Sequence, residues 1–183
     1  MSEFFFADNT ALVNFGTIRR IDLLERLLNN RGTWTATIAI ECAASSAYPG
    51  LDQLEDVPRI LGDPLSLATD EETAEMVAIR ERLRIPGDGP HKHLGEAESL
   101  AIISTRSLSA VLVTDDTGAR REARRIGVST VSTASLLVLA ARVAFIRPQE
   151  CWDFLEELTA AKKFLPDRPE TYGHLLAKCG RIE

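Results

Sequence analysis

Apolar residues run without interruption from Phe4 to Ala7 and stop at Asp8, the pattern of a short buried strand. Leucines and isoleucines then recur at helical spacing as far as Asn30 around a break near Gly16, with Asn9 or Thr10 placed to cap the first helix. β-Branched and aromatic residues around Trp34 predict extended chain leading into an alanine-rich helix, which Pro49 and Gly50 end. If Thr37 caps that helix, Glu41 falls near its first turn. Residues 51–62 read as a short broken helix, 65–69 as a brief strand, and 70–84 as a helix with acids at its start and arginines at its end, matching the macrodipole. Residues 85–93, IPGDGPHKH, form the clearest loop.

Beyond the loop the pattern alternates. A helix over 94–108, a strand over 109–114, a helix over 117–127 closed by Gly127, a short strand over 128–132 and a helix over 133–145 follow one another. Such alternation predicts an α/β fold with a mainly parallel central sheet and helices on both of its faces. After Pro148 the strands cease, and 151–165 and 169–180 read as two further helices. Residues 1–147 are therefore expected to form the α/β unit and 148–183 a helical extension of the same domain, since no linker or repeat separates them.

With 183 residues, 45% of them hydrophobic, the chain has ample material for one core. No apolar run approaches the roughly 20 residues that span a bilayer, and Glu3 stands where a leader would be basic, so a cytoplasmic protein without membrane contact is expected. The three cysteines, Cys42, Cys151 and Cys179, form no CxxC pair and predict no disulfide framework. A net charge of −6 argues against a broadly basic non-specific nucleic-acid binder, though not against a nuclease with a local basic patch.

The candidate chemistry lies in acids at the ends of these elements. Asp8 closes the first strand, where it either stands at the carboxyl edge of the sheet or merely caps the next helix. Glu41 lies among Ile38, Ala39, Ile40, Ala43 and Ala44, and is either a partnered acid or an exposed glutamate on an amphipathic helix. In LGEAES, Glu98 has Leu94, Ala101 and Ile102 at helical spacing, which directs it toward the core and makes it the stronger ligand candidate. Glu96, nearer the helix start, is the secondary one, reaching the site directly or through a water. Asp115 and Asp116 follow a buried strand; one can cap the next helix, and alternation leaves the other for function. Thr114 is placed to hydrogen-bond a ligating carboxylate. Carboxylates gathered at one sheet edge repel one another unless a divalent cation sits among them.

The order DNTALV, an acid after a strand-to-helix turn, HLGEAESLAI and VLVTDDTGAR resembles the PIN-domain family, particularly its bacterial toxin-type ribonucleases of the GEAE branch, over about residues 3–145. The resemblance implies a three-layer, Rossmann-like α/β/α domain, an acid cluster binding Mg²⁺ or Mn²⁺ and hydrolysis of RNA. By position the matching acids are Asp8, Glu41, Glu98 and Asp116, with Asp115 beside the last; Asp8, Glu98 and Asp116 are the implied metal ligands, with Glu96, Thr114 and Asn9 secondary. Many members carry aspartate where this chain has Glu98. A cognate antitoxin that masks the site and a homodimer are implied as partners.

Arg120, Arg121 and Arg124, with Arg125, recur along one helix after the acidic pair, a face suited either to an RNA backbone or to plain solvation. His91 and His93 read as loop residues, and Trp34 and Trp152 as packing anchors. Two other classes stay open: a catalytically inactive PIN-like module binding nucleic acid or protein, and a phosphatase or DNA nuclease using the same cluster.

Overall fold

Phe6 and Ala7 are neighbours on one strand, and pleating sends their side chains to opposite faces of the sheet. In the computed structural model, which describes residues 3–180, Phe6 is buried with Leu112 against the helices of one layer, while Ala7 and Val113 face the other. The sheet is parallel throughout. Its strands β1 (Phe4–Ala7), β2 (Gly32–Thr33), β3 (Ala110–Val113) and β4 (Ser129–Val131) lie in the order β2-β1-β3-β4. On one face pack α5 (Asp70–Leu83), α6 (Leu94–Thr105) and α7 (Thr117–Arg125) through Ile79, Leu83, Leu100, Ile102 and Ala123. On the other pack α1 (Asn9–Thr17), α2 (Ile21–Leu28), α3 (Ala36–Ser46) and α8 (Thr133–Arg142), with the short α4 (Val57–Leu61) at the margin. The parallel sheet with helices on both faces expected from the alternation is the one observed, a three-layer α/β/α architecture.

Strand order determines where a ligand can sit. The chain leaves β1 for β2 on one side and later places β3 on the other, so connections diverge between β1 and β3. In parallel sheets such a switch opens a crevice at the carboxyl ends of the two strands. Asp8 and the pair Asp115 and Asp116 follow those two ends.

The structure corrects several local expectations. Residues 65–69 form no strand: Leu65 makes a single bridge to Thr35. The carbonyl of Ser66 accepts from Arg106 and the amide of Ala68 donates to Glu72, so side chains occupy the groups a ladder would use. Asp8, not Asn9 or Thr10, stands at the N-cap of α1. Gly16 lies inside α1, where a Cβ would come within 3.2 Å of Leu54, and the chain breaks later, at Arg19 in left-handed conformation. Thr35 precedes α3, which puts Glu41 in the second turn.

The helices α9 (Pro148–Ala160) and α10 (Tyr172–Lys178) lay Cys151, Leu155, Leu158 and Leu175 into the same apolar cluster as α1, α2 and α8. The three cysteines are buried and free. Trp34 is buried with its indole N–H on the Gly62 carbonyl, and Trp152 packs edge-on to Tyr172. Among the described residues no helix is long and apolar enough to cross a membrane.

Candidate metal centre

Asp8 leaves β1 with its carboxylate 2% exposed. Although it holds the N-cap position of α1, its side chain makes no cap bond. Its Oδ2 instead accepts the hydroxyls of Thr10 at 2.6 Å and Thr114 at 2.7 Å. Burial raises its pKa against these hydrogen bonds, and the neighbouring Asp116 adds to the rise. The Thr114 oxygen also accepts the Asp116 amide at 3.1 Å. A hydroxyl chain ties the end of β1 to the end of β3.

The two aspartates after β3 divide their work. Asp115, 2% exposed, accepts from Asn14 Nδ2 at 2.8 Å, from the Thr133 amide at 2.9 Å and from the Thr133 hydroxyl, joining α1 to the start of α8. Its oxygens are engaged in holding the fold. Asp116 caps α7, its Oδ1 accepting the Ala119 amide at 2.7 Å, and still faces the acids. Capping and clustering coexist because a carboxylate offers several acceptor sites.

The glutamates of α6 exchange the places read from the helical wheel. Glu98 is buried, as its apolar neighbours required, but its Oε2 accepts the Thr37 amide at 2.8 Å, satisfying the first turn of α3. Glu96, in the first turn of α6, is the one turned toward Asp8 and Asp116: burial, then Asp8, then Asp116 and Glu41 push its pKa up to about 8. Glu41, half-buried on α3, is pushed up to about 7 by burial and by Asp8, with Lys92 opposing and Glu98 adding. Gly95 allows this meeting of helices. A side chain there would clash with Ile38 and bring a Cβ to 3.3 Å from Glu41 Oε2.

His93, expected to be a plain loop residue, lies beside the acids. It ends the loop in left-handed conformation, φ 64°, and is buried. Donor atoms of His93, Glu96 and Asp116 all lie within 4.8 Å of one another. The available signal was the i, i+3 spacing of His93 and Glu96 across the helix start. Asn9 Nδ2 donates to Ser45 at 3.2 Å, linking α1 to α3, and its Oδ1 is buried without a partner.

The arginines scatter. Arg120 is 18% exposed and pairs with Asp167 at 2.8 Å, fastening α7 to the segment between α9 and α10. Arg125 is committed to Glu122. Arg121 and Arg124 are exposed, but Arg124 stands eight residues beyond Asp116 on a helix running away from the crevice, about 12 Å along its axis. A nearer cation, Lys163, carries no role in the sequence reading: with Phe164 it joins Asn9, Thr10, Val13, Asn14, Asp115, Asp116 and Thr117 in lining a cavity of about 440 Å³ beside the acids.

Hard carboxylate oxygens, two of them on side chains with pKa values near neutrality, together with a buried imidazole nitrogen that makes no hydrogen bond, fit a divalent cation. No curated protein matches the chain. The PIN-domain family profile matches residues 5–181, running past the expected limit near 145 and through both C-terminal helices. With that match over nearly the whole length, and acids at the switch point of a parallel sheet, the chain belongs to the PIN-domain family, whose members are generally nucleases that use divalent metals.

Proposed function

We propose that this PIN-domain protein is a metal-dependent endoribonuclease, hydrolysing RNA phosphodiester bonds with Mg²⁺ or Mn²⁺, and that it is the toxin of a cytoplasmic toxin–antitoxin pair. One observation carries the nuclease reading: Asp8, Glu41, Glu96 and Asp116 come from four separate elements, and their mutual charge contributes to the raised pKa of the two glutamates. Acids serving only as caps or surface charge would have been partnered or solvated, as Asp115 and Glu98 are.

Asp8, Glu96 and Asp116 are assigned to hold the cation, which when bound neutralises charge on the scissile phosphate and lowers the pKa of a bound water. Thr10 and Thr114 fix the Asp8 carboxylate by donating to Oδ2. Glu41, with its pKa near 7, is suited to accept a proton from the attacking water at its carboxylate. The cavity beside Asp116 is large enough for a nucleotide, with Lys163 to meet a phosphate and the exposed Phe164 ring to stack on a base. The antitoxin and homodimer belong to the same proposal, an antitoxin covering the crevice with a basic side chain among the acids.

Cleavage of single-stranded RNA by the purified protein tests this. Activity restored by Mg²⁺ or Mn²⁺ after chelation, and absent from Asp8→Asn, is the expected result. An Asp8→Asn protein as fast as the parent would remove the basis of the assignment, and inactivity without any metal response would favour a binding module. Growth arrest on expression without a partner tests the toxin part separately.

A further inference from the structure

We propose that His93 supplies a nitrogen ligand to the bound cation and thereby makes the site prefer Mn²⁺ over Mg²⁺; this rests on the metal site proposed above. The His93 side chain is 7% exposed, and its Nδ1 has no hydrogen-bond partner. That nitrogen lies 3.6 Å from Glu96 Oε1, and ligand atoms of His93, Glu96 and Asp116 lie within 4.8 Å of one another. Two ligands on one ion of this size are at most about 4.2 Å apart, twice a bond of about 2.1 Å, so the group lies within a small adjustment of a shared cation.

The other edge of the ring is held from the loop. Nε2 faces Asp88 Oδ2 at 3.4 Å, and the same oxygen accepts the Ile85 amide at 2.8 Å, so the carboxylate is fixed before it meets the imidazole. A carboxylate behind one ring nitrogen is the usual arrangement when the other binds a metal, because it sets the tautomer and the ring direction. The left-handed backbone at His93 turns the side chain inward at the start of α6, next to Glu96. An all-carboxylate site accepts Mg²⁺ and Mn²⁺ alike, whereas an imidazole nitrogen is a poor ligand for the hard Mg²⁺ and a better one for a transition ion such as Mn²⁺.

The test is pulsed EPR of the full-length protein loaded with Mn²⁺, together with calorimetric affinities for Mn²⁺ and Mg²⁺ in the parent and in His93→Gln. Expected are a ¹⁴N coupling on the bound Mn²⁺, its loss in the variant, a Mn²⁺ affinity lowered by about 10-fold or more, and a Mg²⁺ affinity changed by less than about 3-fold. Mn²⁺ bound without nitrogen coupling overturns the inference while leaving the carboxylate site standing, and would make His93 an ion-pair partner of Asp88 and Glu96. Failure of any divalent ion to bind overturns both. Should His93→Gln not fold, the spectrum of the parent decides alone.

Discussion

Asp8, Asp115, Glu96 and Glu98 are all acids at or near the starts and ends of elements, and their neighbours alone decide what each does. Asp115 spends its oxygens on Asn14 and Thr133, so Asp115→Ala leaves the buried Thr133 amide without its acceptor and Asn14 with only the Thr133 hydroxyl at 3.5 Å. Denaturant unfolding should show a loss of about 2–4 kcal/mol. Glu98 and Glu96 are separated by a paired test. Glu98→Gln retains an acceptor for the Thr37 amide and should keep the divalent-ion-dependent rise in melting temperature, whereas Glu96→Gln should lose most of it. The reverse outcome would restore the ranking drawn from the helical wheel. That wheel identified a buried glutamate correctly, since Leu94, Ala101 and Ile102 do surround Glu98 in the sequence pattern. It had no means of showing that the amide of Thr37, 61 residues away, is what the carboxylate meets.

At the level of elements, the site depends on how closely α3 and α6 approach and on how β1 and β3 end. Gly95 permits the first, because a methyl group there would press on Ile38 and on the Glu41 carboxylate. Gly95→Ala should therefore destabilise the fold by about 1–3 kcal/mol and weaken divalent-ion binding together, a coupling that calorimetry and thermal unfolding can measure on the same sample. The ends of β1 and β3 were readable from sequence, as apolar runs stopping at acids. The strand read at 65–69 was not there, because its backbone groups are taken by Arg106 and Glu72, both distant or on another element. His93 reads from sequence as a plain loop residue for a related reason: a loop histidine gains meaning only when the loop folds back over the helix that follows it. Lys163 and Phe164, at the far end of the chain, reach the acids only through the packing of α9.

Across the whole molecule, burial and mutual repulsion of the crevice acids oppose their ionisation, and this gives the metal-free protein a characteristic pH response. Glu41 and Glu96 have folded-state pKa values of about 7 and about 8, above the ordinary value of 4.5, so the folded state binds more protons than the unfolded one between those limits. Their contribution is fully present below about pH 4.5 and is lost as pH rises toward 8, so the melting temperature of the chelated protein should fall across that window. Glu72 acts oppositely: Arg106 and the Ala68 amide hold it down to about 2, so its contribution is lost as pH falls from 4.5 toward that value. Saturating Mn²⁺ should abolish the decline near neutrality by favouring the ionised acids. A chelated protein whose stability rose from pH 5 to pH 8 would mean that the acids are not crowded as described.

The central claim is that acids from distant segments form one divalent-cation site at the switch between β1 and β3. Anomalous diffraction from a crystal containing Mn²⁺ tests it most directly. The account predicts a strong peak bonded at about 2.0–2.3 Å to oxygens of Asp8, Glu96 and Asp116. A saturated crystal with no ordered Mn²⁺ in that crevice, or with the ion bound elsewhere, would contradict it.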